Sequence, residues 1–268
     1  MLIKRVITAL ILAPIAIAGI LLLNESWFSI ILGLMLIVTS WEYCQLISIH
    51  QFTNRALFTI AILALTFVLV AYVSMLAPLL LLTLTWWLVA LYWVIKYPES
   101  HNSVSKSIYT GIINGLFLFV PMATSLIILH SQNRLLVLFL LVLIWAADIG
   151  AYFSGKRFGN KKLCPEVSPN KTLAGLYGGV ILAQAVAISY VYIIIQAPGA
   201  KDFFVFSILA LVVSLVSVLG DLFESLLKRI SGNKDSGNIL PGHGGLLDRI
   251  DSLTSSAPIF FLLLVFIL

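Results

Sequence analysis

Asp221 and Glu224, Lys228 and Arg229, Lys234 and Asp235, then Asp248, Arg249 and Asp251 crowd the stretch from Gly220 to Asp251. On a helix, residues three apart share a face, so Asp221 joins Glu224 and Asp248 joins Asp251, and Glu224 can pair with Lys228 one turn on. Between these groups lies GNKDSGNILPGHGG. There Pro241 and the glycines force a compact turn that exposes backbone N–H groups. Clustered carboxylates repel one another unless a cation is present. Hard cations such as magnesium take oxygen ligands, commonly one or two carboxylates together with phosphate oxygens. Lysine and arginine beside them would clamp the same phosphates. The chemistry this stretch suits is magnesium-dependent transfer at a phosphate. His243 is a candidate base, and flanked by glycines it could equally serve only a local hydrogen bond. No cysteine–histidine cluster exists to favour zinc, and Cys44 and Cys164 have neither metal nor disulfide spacing.

Two shorter stretches add to this. In WAADIGAYFSGKRFGNKK, from Trp145 to Lys162, Asp148 lies inside an apolar run. An ionisable group there is functional by default, the alternative being a structural hydrogen bond to a neighbouring helix. Asp148, Tyr152, Gly155 and Gly159 share a helical face, and the glycines would let a helix or ligand approach closely. In SPNKTLAG, Ser168, Lys171 and Thr172 precede another apolar run. Hydroxyls, a lysine and a helix N-terminus suit phosphate, although the order of a P-loop is missing. The bases of this region could instead set topology or touch anionic lipid heads. Glu42, in Trp-Glu-Tyr-Cys, either needs a partner within the membrane or reaches the interface.

The elements that position these residues are membrane helices. Of the 268 residues 61% are hydrophobic and 10% charged, against about 25% charged in soluble domains. Long runs, apolar on all sides, read as spanning helices rather than barrel strands. Nine segments are expected, at 6–23, 27–47, 56–76, 78–95, 108–129, 134–154, 173–195, 203–227 and 252–268, giving an all-α polytopic protein. Residues 1–130 hold about five spans, and 131–268 carry the catalytic spans and loops. Trp86, Trp87 and Trp93 are expected to mark the fourth helix and its ends. Alternate loops hold 14 of the 16 basic residues, leaving Arg134 and Lys201 on the other side. That bias places the N-terminus and the polar loops in the cytoplasm. It also accounts for the net charge of +5 without a nucleic-acid partner. Lys4 and Arg5 ahead of an apolar run and Ala16-Ile17-Ala18 look like a signal peptide. The run is long for one, so retention as an anchor is expected. Pro258 falls inside the ninth segment, where it allows a kinked or a short helix.

The motif Ser225-Leu-Leu-Lys228-Arg229, four residues, Lys234-Asp235-Ser-Gly237, two residues, Leu240-Pro241-Gly-His243-Gly244-Gly245-Leu-Leu-Asp248-Arg249-Ile-Asp251 resembles the signature of the phosphatidate cytidylyltransferases, without departure. The stretches around Asp148 and Ser168 are similar to that family too, so the resemblance covers residues 145–256 well. The first half matches only as a string of membrane helices.

The resemblance implies transfer of a cytidylyl group from CTP to phosphatidic acid, with magnesium, potassium beside it, a homodimer and a bacterial inner membrane. It implies Asp221 and Asp248 as magnesium ligands, with Asp148 and Asp251 as further ligands or just behind them. Lys171, Lys228, Arg229 and Lys234 would contact phosphates. Ser168, Thr172, Asp235, His243, Gly244, Gly245 and Arg249 would complete the substrate site, and the glycines from 242 to 245 would let backbone approach the nucleotide. An ion path through Asp148, Asp221 and Glu224 is the rival, disfavoured by acids gathered at the helix ends. A CDP-alcohol phosphotransferase is disfavoured because its motif is absent.

Overall fold

The computed structural model describes residues 2–72, 76–104, 107–237, 239 and 244–267, with side chains described from residue 12 to residue 266. Among them are α1 (Leu2–Leu22), α2 (Glu25–Leu46), α3 (Phe52–Ala71), α4 (Leu76–Ile95), α5 (His101–Val104), α6 (Ile108–Gln132), α7 (Arg134–Phe158), α8 (Leu173–Ile194), α9 (Ala200–Ser231) and α10 (Leu247–Ile267). A hairpin of β1 (Lys162–Cys164) and β2 (Ser168–Thr172) links α7 to α8. Eight helices, α2 to α4 and α6 to α10, are long and apolar enough to cross a membrane. This bears out the all-α polytopic reading. The expected segment 6–23 falls on α1, whose described side chains contribute the shorter apolar stretch Leu12–Leu22.

Helices α7 and α9 run past their expected ends at 154 and 227, to Phe158 and Ser231. The apolar run stops where the chain meets water, but backbone hydrogen bonding continues. Lys156 and Arg157, and likewise Lys228 and Arg229, occupy last turns, where cations are favoured by the helix dipole. Lys228 and Arg229, beyond the expected end of the span at 227, are therefore helical rather than loop residues. Helix α9 stops at Gly232, whose φ of 71° is left-handed and favours glycine. Pro258 sits within a continuous α10.

Helices α6 and α10 form the centre of the bundle, with 72% and 67% of their spanning windows buried, against 22% for α3 and α8. Both use small residues where they pack, Gly111 and Gly115 in α6 and Ser252, Ser255, Ser256 and Ala257 in α10. In lipid, apolar side chains gain little from burial, so backbone approach and interhelical van der Waals contact dominate. The α7–α8 pair follows the same rule. A Cβ on Gly179 would lie 2.7 Å from the Ala147 carbonyl oxygen, and one on Gly150 would strike the Gly178 carbonyl. Trp86 and Trp87 do not mark helix ends. Both are buried, and with Trp93 they pack around Phe223 of α9.

Candidate active site

The polar residues singled out in the sequence gather at one end of the bundle, where α2, α7 and α9 finish and α8 and α10 begin. Close helix contacts bring them together. Gly220 precedes Asp221, and a Cβ there would lie 2.5 Å from the Asp251 carbonyl oxygen and from Ser255 Oγ. The backbones of α9 and α10 therefore touch where their carboxylates emerge. On α7, Asp148 stands within the Ala147–Gly150 contact with α8 and within electrostatic reach of Lys171 and Asp221.

Lys171 reaches across from β2 to Asp221, Nζ to Oδ2 at 2.6 Å. The Lys171 and Asp221 side chains keep 22% and 32% exposure, and Ser225 Oγ lies 3.3 Å from Asp221 Oδ1. Asp251, half-buried on α10, feels Asp221, Glu224 and Lys171. Glu224 pairs with Lys228 at 3.3 Å, the i,i+4 contact its spacing predicts. Among the described residues no donor reaches its buried Oε1.

Lys228 also holds Asp248 Oδ1 at 2.6 Å. The other oxygen of Asp248 accepts the Ser236 N–H at 3.1 Å, the Ser236 hydroxyl at 3.0 Å and the Gly245 N–H at 2.7 Å. Asp248 thus ties Lys228 of α9, Ser236 and Gly245 to the start of α10. Gly244 is required there, with a φ of 79° and a would-be Cβ 2.6 Å from Asp248 Oδ2. Glu42 closes the array from below. Buried on α2, it accepts the N–H of Leu246 at 3.0 Å and of Leu247 at 2.8 Å.

The other expected residues are placed as follows. Thr172 is buried, and its hydroxyl caps α8 by accepting the Gly175 N–H at 3.1 Å. Ser168 opens β2 opposite Cys164. Arg229 donates from Nε to the Val167 carbonyl at 3.2 Å, fastening the hairpin turn to α9. Lys234, Asp235 and Arg249 are exposed at the rim. His243 lies outside the described residues. Of the two sequence expectations for Glu42, a buried acid with a partner or a helix-end residue at the interface, the structure shows the first. Nothing in its spacing links it to a loop some 200 positions away, and only folding reveals the contact. Six of the chain's eleven carboxylates, Glu42, Asp148, Asp221, Glu224, Asp248 and Asp251, lie in this array with two lysines, Lys171 and Lys228.

Beside it runs an apolar cavity of about 400 Å³ between α4, α8 and α9. Leu219 and Leu222, which flank Asp221 on α9, line it with Leu176, Leu163 and Cys164. A polar cluster at a helix-end surface and an apolar space thus share one wall.

Comparison with known proteins shows the family. The sequence is 40% identical to a phosphatidate cytidylyltransferase of Pseudomonas aeruginosa over 98% of this chain and 97% of that one. It is 34% identical to a phosphatidate cytidylyltransferase of Haemophilus influenzae over the full length of both. A Bacillus subtilis protein of the same name is 48% identical over 126 residues, 47% of this chain and 46% of that one. The sequence pattern of the cytidylyltransferase family runs through residues 3–267, so the chain whose helices converge on this carboxylate–lysine array belongs to the cytidylyltransferase family.

Proposed function

We propose that this protein transfers a cytidylyl group from CTP to phosphatidic acid, giving CDP-diacylglycerol and pyrophosphate. The observation that carries the reading is the part-open Lys171–Asp221 pair, its aspartate on the helix whose Leu219 and Leu222 line an apolar cavity. One substrate comes from water and the other from lipid, and a polar site bordering an apolar space serves both. An oxygen of the lipid phosphate forms a bond to the α-phosphorus of CTP. The bond from that phosphorus to the bridging oxygen of the β-phosphate breaks, and pyrophosphate leaves with the electron pair. The attacking phosphate is already an anion, so positioning and charge neutralisation suffice and no strong base is needed. Lys171 neutralises phosphate charge, assisted by Lys234 at the rim. Lys228 and Arg229 hold the loop and the hairpin around the substrates. The cavity takes the upper part of the acyl chains.

The donor set suits magnesium in kind, and since no three of these acids stand together as a metal site among the described residues, an ion would be held by one or two carboxylates together with substrate phosphates. Among the described residues all candidate ligands are oxygens, six carboxylates gather with two lysines, and Glu224 carries a buried oxygen that no donor reaches. Asp221 and the exposed Asp148 would hold it, with Asp251 beside them, Asp248 organising the loop behind them, and potassium alongside. When bound, the ion would neutralise charge on the phosphates. The positive-inside bias supports a cytoplasmic site in a bacterial inner membrane, and the family resemblance supports a homodimer.

The test uses purified full-length protein in detergent with phosphatidic acid, labelled CTP and magnesium, beside Asp248→Ala. Lipid-soluble CDP-diacylglycerol from wild type, lost with EDTA and in the variant, is the expected result. A folded wild-type protein that makes no nucleotide-linked lipid from CTP or any other nucleotide would overturn it.

A further inference from the structure

The geometry points to Glu42 as a positioning residue for the transfer, acting from the N-terminal half of the chain through the loop that holds Asp248. This rests on the catalytic reading of the Asp248 region given above. The first N–H groups of a helix have no partner within it and must find one elsewhere. In α10 the Leu246 and Leu247 N–H groups find Glu42, Oε1 at 3.0 Å and Oε2 at 2.8 Å. One carboxylate, 4% exposed, therefore caps a helix from a different helix. The next residue along is Asp248.

The loop is shaped around this carboxylate. A Cβ on Gly237 would strike Glu42 Oε1 and lie 2.7 Å from its Cδ, and one on Gly245 would lie 2.6 Å from Oε2. Both glycines leave room for Glu42. Between them in space sits Ser236, buried, which donates its N–H and hydroxyl to Asp248. Glu42 thus sets the height of the α10 start and the path of the loop at once. It is held in turn by α2, whose Tyr43 is fully buried and donates to the Gly111 carbonyl of α6 at 2.7 Å. A charged acceptor buried beside two N–H donors is about twice as strong a partner as a neutral one. Glutamine at this position keeps the shape but has one oxygen, so one N–H would face an NH2 donor instead.

Small displacements at such a site have large effects, since about 1 Å of misplacement can cost about 10²-fold in rate. Glu42→Gln should therefore lower kcat by about 10²-fold while the protein remains folded and elutes as wild type. The loss should fall on kcat more than on KM for either substrate. Amide exchange should speed up at Leu246 and Leu247 and nowhere in α4 or α8. Gly237→Ala, which presses on an intact Glu42, should lower kcat in the same direction and add little on top of Glu42→Gln, because the two act through one contact. Glu25→Gln, the same change at an exposed position of α2, should match wild type.

Glu42→Gln with kcat within twofold of wild type, or with loss tracking only the unfolded fraction, overturns the inference. So does unchanged exchange at Leu246 and Leu247, and that arm needs no turnover. Activity abolished by Asp248→Ala but untouched by Glu42→Gln would sink Glu42 alone. A wild-type protein without product would sink the reaction, with the exchange arm still deciding whether Glu42 holds the loop.

Discussion

Asp221 and Asp248 look equivalent in the sequence, each an aspartate at a helix end three residues from a second acid, and folding makes them opposites. Asp221 keeps 32% of its side chain exposed and has one charged partner, Lys171. Asp248 is 8% exposed, and four donors converge on its two oxygens. The difference separates two duties that clustered acids can share. An open carboxylate with one mobile partner can exchange that partner for a substrate phosphate or a cation. A saturated carboxylate cannot exchange without dismantling its surroundings, so Asp248 organises the site that Asp221 presents.

The sharpest way to break this comparison is to neutralise each in turn. Asp221→Asn should fold as wild type and lose about 10²- to 10³-fold in kcat, read from labelled product. Asp248→Asn should lose activity and stability together, by about 3–5 kcal/mol, because Lys228 and Glu224 are left as an imperfectly paired buried set. Denaturation in detergent reads the second effect. Equal stability of the two variants would abolish the distinction.

A smaller effect tests the partner. Lys171→Ala should raise KM for the nucleotide or the lipid and lower kcat by about 10²-fold, with Lys171→Arg recovering part of it. Because the Lys171–Asp221 pair is partly exposed, its removal should destabilise the fold little. Kinetics and a melting curve together check both halves of that statement.

The helix contacts beneath the site come next. Gly150→Ala places a methyl group against the Gly178 carbonyl and 3.0 Å from Gly179 Cα. It should destabilise by about 1–3 kcal/mol, and it should weaken the Asp221 side of the site more than the Asp248 side, since the methyl group presses on α8, which follows directly on the β2 strand that carries Lys171.

The smallest expected effect is at Cys164, which lines both the hairpin and the cavity. Burial raises its thiol above the ordinary cysteine value, and Lys171 opposes the rise only in part. The reactive form is the thiolate, so labelling by iodoacetamide should be slow at neutral pH and accelerate only as pH passes above the usual thiol range. Cys164→Ala should retain activity near wild type. Fast labelling at neutral pH would mean that the hairpin opens and exposes the cavity wall.

Much of the molecule was legible from residue types. Apolar runs mark the spans because lipid demands that each backbone group be paired within its own helix. The acids in those runs mark the site because isolated charge is costly there. Glu224–Lys228 followed from helical spacing, and of the expected Asp148, Tyr152, Gly155 and Gly159 face of α7, Gly155 and Gly159 meet Thr172 at the start of α8 while Asp148 and Tyr152 are exposed. The β1–β2 hairpin was not legible, since three- and five-residue strands carry too little periodicity to separate from a loop. Nor was the burial of Trp86 and Trp87, because a tryptophan at a membrane surface and one packed on Phe223 read alike.

The sequence by itself determined that this is a bundle of membrane helices with acids, lysines and glycines gathered toward its C-terminal part, and which residue types could handle a phosphate. Those properties are local, fixed by hydropathy, helical period and a short motif. Only the tertiary structure decided that Thr172 caps a helix, that Asp248 is saturated while Asp221 is open, and that Glu42 supports the loop from the opposite half of the chain. Each depends on which partners arrive in three dimensions. A carboxylate's role is set by the donors that reach it, and no spacing along the chain records them.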